Sequence, residues 1–253
     1  MVLDYCEDGN LRDYMNHSEN CITFESKIEY LIQIARGLED IHHAEKVHRD
    51  FHSGNILFEG DPYISDLGMC QPANQSVKRE GIYGVLPYMA PEVLCGYQYT
   101  KAADIYSFGT VMNELISEET PYNDIPHDHA LAINICKGFR PKISEDTPKL
   151  LADLITKCWD AKIENRPTAL ELYQLLHRWY SEIYNENGEI YSRAEEYDRI
   201  RENKSRNNKN KPKDIQTHPQ AIYTSRLFNF KNLPEPVNSS DLSSFQIDNS
   251  GNV

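Results

Sequence analysis

Three short runs, in fixed order, hold the side chains best suited to chemistry. Residues 47–57 read V-H-R-D-F-H-S-G-N-I-L, with Asp50 and Asn55 five positions apart, D-L-G follows at 66–68, and A-P-E at 90–92. A loop carboxylate can take a proton from an attacking group. The oxygens of Asn55 and Asp66 are hard donors of the kind Mg2+ accepts. Taken singly, each of these residues would be an ordinary turn residue. Their order along the chain sets them apart.

Together the three runs resemble the catalytic loop, magnesium loop and activation-segment anchor of the protein kinases. The resemblance implies ATP as phosphate donor, Mg2+ held by Asn55 and Asp66, and Asp50 as the base at the hydroxyl of a protein substrate. It places His48 under the magnesium loop and Arg49 where it can meet a phosphate on the activation segment. Within that segment, 66–92, Ser76 and Tyr83 are the candidate phosphate acceptors. Further along the implied cleft, Leu3 falls at the gatekeeper position, Asp4 to Cys6 at the hinge facing adenine, Asp13 near ribose, and Leu57 on the floor under the base. Glu92 and Arg166 resemble the buried ion pair that ties the activation segment to the last helices, and Asp104 the buried carboxylate that holds the catalytic-loop backbone.

The departures from the family pattern are local. His52 stands where Ser/Thr-type kinases carry a lysine, Gly54 where tyrosine-type loops carry an arginine, and Val85 where Ser/Thr-type kinases keep a threonine. A neutral imidazole supplies less charge than lysine near pH 7, although nearby phosphate raises its proton affinity. Leu67 replaces the phenylalanine of the magnesium loop and is expected to pack below the site. G-N-L at 9–11, Y-M-A-P-E at 88–92 and D-I-Y-S-F-G at 104–109 give the chain the texture of the tyrosine-kinase-like branch. Only 47 residues precede the catalytic loop. The expectation is therefore a kinase large lobe whose Gly-rich phosphate cover and strand lysine are missing, with a catalytically inactive kinase-like scaffold or binding protein as the alternative.

The elements that must position these residues follow from periodicity. From Thr23 to Ala44, Phe24, Ile28, Leu31, Ile32, Ala35, Leu38 and Ile41 recur at three and four, predicting one long amphipathic helix with charges on its other face. Two short apolar runs around Gly60, Asp61 and Pro62 predict a hairpin in the catalytic region. Residues 104–118 form a helix apolar on most sides, which belongs inside. Two amphipathic helices are expected at 149–159 and 168–180. The fold class is thus mainly α, and the resemblance implies a protein-kinase-like C-terminal helical lobe over 1–180 with a hinge strand at 1–5. A tail at 181–253 is expected to be partly helical and then disordered. Within the tail, Y-T-S-R-L-F-N-F at 223–230 reads either as a docking peptide or as a stretch without a fixed partner.

Composition bounds the rest. The 253 residues are 40% hydrophobic, enough for a full core. Of the net charge of −13, residues 1–180 carry −12, from 28 acidic and 16 basic side chains. Such an acidic body argues against a nucleic-acid partner. The six cysteines form no C-x-x-C pair, and no apolar run reaches the roughly 20 residues of a membrane span. A cytoplasmic protein with reduced thiols is expected. Its partners would be a protein substrate or signalling partner, with self-association through the face a small lobe would cover.

Overall fold

Helix α1 (Leu11–His17) and the long α2 (Phe24–His43) open the chain, and α2 shows how its sequence folds it. Thr23 caps it, its hydroxyl accepting from the Ser26 amide at 3.2 Å, which satisfies one of the free amides of the first turn. Phe24, Ile28, Leu31, Ala35 and Leu38 are buried along one face, as the spacing predicts. Lys27 departs from the expectation that the other face is solvated, because it is fully buried. Its ammonium donates to Glu118 at 2.6 Å and to the Tyr197 hydroxyl at 2.9 Å, partners far along the chain that offset its desolvation. The computed structural model describes residues 6, 8–17, 22–73, 81–208 and 217–239. The expected strand at 1–5 lies outside them.

Four short strands frame the catalytic loop. Strand β1 (Lys46–Val47) leads into it, β2 (Ile56–Glu59) and β3 (Asp61–Ile64) leave it as an antiparallel hairpin, and β4 (Gln71–Pro72) returns to pair with β1. Glu59 faces Asp61 across the hairpin tip, so one residue must turn the chain. Gly60 does this at φ 71°, a backbone conformation costly to side chains with a Cβ.

Beyond the loop the body is helical. Strand β5 (Ile82–Gly84) precedes the short α3 (Pro91–Leu94), then α4 (Lys101–Ser117), α5 (His129–Cys136), α6 (Lys149–Cys158), α7 (Ala169–Glu182) and α8 (Glu189–Asn208). Helix α4 is buried from Ala103 to Ser117, as its lack of a polar face requires. It meets α6 so closely that a Cβ on Gly109 would lie 2.6 Å from the Cys158 Cβ. Helix α7 begins with a capping box in which Thr168 and Glu171 satisfy each other's first-turn amides. Helix α8 is held by Tyr197 and Arg201, which both donate to the Ile116 carbonyl, at 2.6 and 2.5 Å. The core lies between α2, α4, α6 and α7.

Residues 217–239, which composition left as a loose tail, run extended across this body and contribute strand β6 (Arg226–Phe228), antiparallel to β5. Their backbone is tied at several points. His127 donates from Nε2 to the Tyr122 carbonyl at 3.1 Å and accepts the Ile222 amide on Nδ1 at 3.0 Å, and the Val237 amide donates to the Cys136 carbonyl at 2.9 Å. Phe228 is buried and stacks with Phe230 at 5.0 Å between ring centres. Each tie satisfies a backbone group that would otherwise face a desolvated surface.

Candidate active site

The catalytic loop is fixed from below by one buried carboxylate. Asp104 Oδ2 accepts from the His48 amide at 2.8 Å and meets His42 Nε2 at 2.9 Å, while Oδ1 accepts from the Arg49 amide at 3.0 Å. Those bonds hold Arg49 at φ 73°, an unfavourable backbone for a residue with a Cβ, offset by a fully buried acceptor. His48 is also fully buried and donates from Nε2 to the Ser65 carbonyl at 3.0 Å, linking the loop to the residue before Asp66. Its Nδ1 then faces the Asp50 amide at 3.3 Å. The Arg49 guanidinium donates to the Gln71 side chain and lies over the Tyr99 ring, 5.8 Å from its centre.

Asp50, 4% exposed, is turned toward the tail. Its Oδ2 accepts from the Ser225 hydroxyl at 2.6 Å, and the Ser225 oxygen lies 3.3 Å from His52 Nε2. His52 Nδ1 accepts from the Gly54 amide at 3.1 Å, so Nε2 carries the proton and donates to Ser225. Burial, then the nearby Arg12 charge, pushes the His52 pKa down to about 3, so the ring is neutral at pH 7. Burial pushes the Asp50 carboxyl above its ordinary value, opposed by the Ser225 hydrogen bond and reinforced by the negative Asp66. A carboxylate so placed is a stronger base than one in water.

Asn55 spends its Nδ2 on the Asp50 carbonyl at 2.9 Å, which leaves its side-chain oxygen as the end available to a cation. Asp66 is exposed at φ 53° and starts the single turn 67–69. Among the described residues no group of three His, Cys, Asp or Glu converges as a metal cage. One carboxylate and one amide oxygen beside bound phosphate is instead the donor set that suits Mg2+. Leu67 corrects an expectation. It does not pack below the site but is 48% exposed, because the turn after the left-handed Asp66 carries it outward from the helical core.

The other predicted residues are spread more widely. Cys6, ahead of α1, and Asp13, in its first turn, are half-buried; Asp13 accepts from Asn10 Nδ2 at 2.5 Å, and Asn10 forms a bridge with Leu57 at the start of the hairpin. Tyr83 is 40% exposed on β5, opposite Leu227. Leu3, Asp4 and Ser76 lie outside the described residues.

Sequence reasoning missed a polar cluster next to His52. Arg12 donates to Ser53 at 3.0 Å and to the Tyr88 hydroxyl at 3.1 Å, and Tyr88 donates to Glu114 Oε2 at 2.6 Å. Glu114 is almost wholly buried inside α4, and burial holds its carboxyl above the usual range against the pull of Arg12. Arg12 also lies 4.8 Å from the centre of the Tyr223 ring, so the cluster reaches the tail. The one available signal was Glu114, a charged residue among the apolar Val111, Met112, Leu115 and Ile116 of α4.

At the far end of the activation segment, Glu92 and Arg166 form a bidentate pair at 2.7 and 2.8 Å, with the residues 8% and 6% exposed. Arg166 also donates from Nε to the Asp160 carbonyl at 2.8 Å and from Nη1 to the Ala102 carbonyl at 2.9 Å. The planar fork satisfies three elements at once.

Known proteins share this arrangement of sequence. Over 178 residues, or 68% of the chain, it is 34% identical to the serine/threonine-protein kinase pakC of Dictyostelium discoideum, covering 37% of that protein. It is 29% identical over 197 residues, 77% of the chain, to the serine/threonine/tyrosine-protein kinase HT1 of Arabidopsis thaliana, covering 50% of it. The RGS domain-containing serine/threonine-protein kinase A of Dictyostelium discoideum is 29% identical over 177 residues, 69% of the chain and 16% of that relative. The chain thus spans half or less of the length of these curated relatives. Residues 1–176 match the family model described as protein tyrosine and serine/threonine kinase, and the chain belongs to the protein kinase family.

Proposed function

We propose that this chain carries the acceptor side of an ATP-dependent phosphoryl transfer to serine or threonine hydroxyls of proteins. The observation that carries the reading is the alcohol already seated on Asp50, the Ser225 hydroxyl at 2.6 Å. A base must lie within hydrogen-bond reach of the proton it takes, and Asp50 meets that requirement for a side-chain alcohol. Bound ATP supplies the γ-phosphoryl group, and Mg2+ on Asn55 and Asp66 would neutralise charge on its phosphates. Asp50 orients the hydroxyl and receives its proton, while His52 fixes the oxygen's position from the other side. The names of the relatives, which specify serine/threonine or serine/threonine/tyrosine kinases, support the same acceptor class. A cytoplasmic location and self-association around Leu57 and the exposed Tyr63 belong to the proposal. Among the described residues no helix is long and apolar enough to cross a membrane.

A second reading, a kinase-derived scaffold without catalysis, is favoured by the neutral His52, which cannot supply the positive charge of the family's lysine. Two measurements separate them: magnesium-dependent transfer to a serine peptide, and nucleotide binding by calorimetry. Under the first reading Asp50→Asn lowers transfer by about 10²–10⁴-fold, the usual contribution of a general base, without changing nucleotide affinity. Transfer that survives Asp50→Asn removes Asp50 from the mechanism. Nucleotide binding without transfer, both in the parent and in Ser225→Glu, which removes the hydroxyl seated on Asp50, favours the scaffold.

A further inference from the structure

We propose that residues Tyr223–Phe228 occupy, in cis, the groove through which an acceptor peptide reaches Asp50, with Ser225 in the place of the acceptor hydroxyl. The inference rests on the function proposed above and deepens it. It makes the tail a built-in competitor for protein substrates, and it defines the peptide class that fits.

Three independent features converge on this segment. The first is main-chain pairing: Ile82, Tyr83 and Gly84 face Phe228, Leu227 and Arg226 in antiparallel register, so the tail adds a strand to an edge of the body. Strand addition is a common way to hold an extended peptide, with backbone bonds giving affinity and alternate side chains giving specificity. The second is side-chain recognition on both sides of Ser225. Arg226 donates to the His127 carbonyl at 2.5 Å, and Phe228 is buried against the body, whereas Leu227 between them is 65% exposed. On the other side, Tyr223 lies under Arg12 and packs edge-on against His127, and its hydroxyl donates to the Pro121 carbonyl at 2.9 Å.

The third feature is the polar contact itself. Ser225 donates to Asp50 Oδ2 at 2.6 Å and accepts from His52 Nε2 at 3.3 Å, so its hydroxyl is held at both the proton and the oxygen. An exposed tail crossing the surface by chance would have no reason to place an alcohol on Asp50, the buried carboxylate of the catalytic loop. The body is also shaped to receive the strand. Gly81 sits at φ 95°, and a Cβ there would lie 2.7 Å from the Phe228 carbonyl oxygen, so the approach of β6 requires glycine at this position. The groove therefore suits an extended peptide with an aromatic two residues before the hydroxyl, a basic residue directly after it and an aromatic three residues after it.

The test reads docking without nucleotide, so it is independent of catalysis. Amide exchange over 82–84 and 226–228 is followed by mass spectrometry in the full chain and in Ser225→Glu and Gly81→Ala. The first variant sets a second carboxylate against buried Asp50, and the second blocks the strand from the opposite side. Both are expected to exchange about tenfold faster than the parent over these segments. A dye-labelled peptide of residues 221–230, added in trans, is expected to bind Ser225→Glu, whose groove is free, and neither the parent, whose groove is filled, nor Gly81→Ala, whose new Cβ meets the peptide as it meets the tail. Equal, fast exchange in all three proteins, or peptide binding by the parent at the affinity of Ser225→Glu, overturns the proposal. A slow-exchanging strand in the parent, with no phosphate transfer even by Ser225→Glu, whose groove is free, counts against the function alone, and a fast-exchanging strand in a parent that transfers phosphate counts against the docking alone.

Discussion

Arg166→Ala isolates the contribution of the clamp between the activation segment and the last helices. The substitution removes four hydrogen bonds, two to Glu92 at 2.7 and 2.8 Å and one each to the Asp160 and Ala102 carbonyls, and leaves the Glu92 carboxylate 8% exposed without its guanidinium. Breaking a buried pair from one side costs roughly 3–5 kcal/mol, because the remaining charge keeps its desolvation penalty and loses its counter-charge. At about 2–4 °C per kcal/mol for a body of this size, Tm should fall by roughly 6–20 °C. The exposed i,i+4 pair Lys149–Asp153, with side chains 82% and 63% exposed, provides the control. Such pairs contribute about 0.3–0.5 kcal/mol, so Lys149→Ala should move Tm by at most about 2 °C. Replacing both partners by apolar residues of similar volume, Arg166→Met with Glu92→Leu, should recover much of the loss, since neither charge is then stranded. Thermal melts of the parent, the three variants and their ratio of folded yield check this. If Arg166→Ala melts alongside Lys149→Ala, the pair carries no tertiary load and the reasoning fails.

The other expectations concern packing and protonation. Gly109→Ala should gain about 1 kcal/mol of helix propensity, yet its Cβ would lie 2.6 Å from the Cys158 Cβ and 3.2 Å from the Trp159 ring, and overpacking of that kind costs about 1–3 kcal/mol. The urea midpoint should therefore fall, and a more stable variant would show that α6 moves away freely. His52 titrates at about 3 in the folded chain against an ordinary 6.5, so between those values the unfolded state binds the extra proton and stability rises with pH. One such group gives at most about 1.4 kcal/mol per pH unit, and His127, also lowered by burial, adds with the same sign, while the raised Asp50 acts oppositely just above its ordinary carboxylate value. His52→Gln should flatten urea-derived stability between about pH 4 and 6.5, and an unchanged slope would mean the ring is already charged when folded.

The parts of the fold that were legible in sequence are those whose cause is local. Helix α2 shows its apolar stripe every three or four residues, α4 its lack of a polar face, and the 56–64 hairpin its turn at Gly60. Helix α5 is only eight residues long, too short for periodicity to separate from a loop, although Asp128 caps it by accepting from the Ala130 and Leu131 amides. Lys27 was not legible because its burial is set by Glu118 and Tyr197, 91 and 170 residues away. The same applies to Arg12, whose partners Ser53, Tyr88 and Glu114 come from three separate elements. Motif order pointed to Asp50, Asn55 and Asp66, but nothing in it could say that Leu67 faces outward or that a serine 175 residues downstream would sit on Asp50. The segment Y-T-S-R-L-F-N-F at 223–230 was visible as a peptide that could dock, while its receptor, the edge at 82–84, became visible only with both strands in place.

The contacts of His52 also decide how the proton of an acceptor hydroxyl would travel. Its Nδ1 is engaged by the Gly54 amide, and its Nε2 hydrogen points at the Ser225 oxygen, so both nitrogens are committed and the ring has no lone pair free for a proton. Protonating Nδ1 would break the Gly54 bond and place a charge in a buried site beside Arg12, which is why the ring stays neutral until about pH 3. Asp50 has the opposite profile. One oxygen already holds the hydroxyl proton, the other makes no hydrogen bond, and burial raises its proton affinity. In the proposed reaction, of the two side chains touching the alcohol, Asp50 is therefore the base and His52 the positioning group. The positive charge that a lysine would bring at position 52 is absent from this chain's loop, and in the proposed reaction that charge compensation falls to the cation held by Asn55 and Asp66.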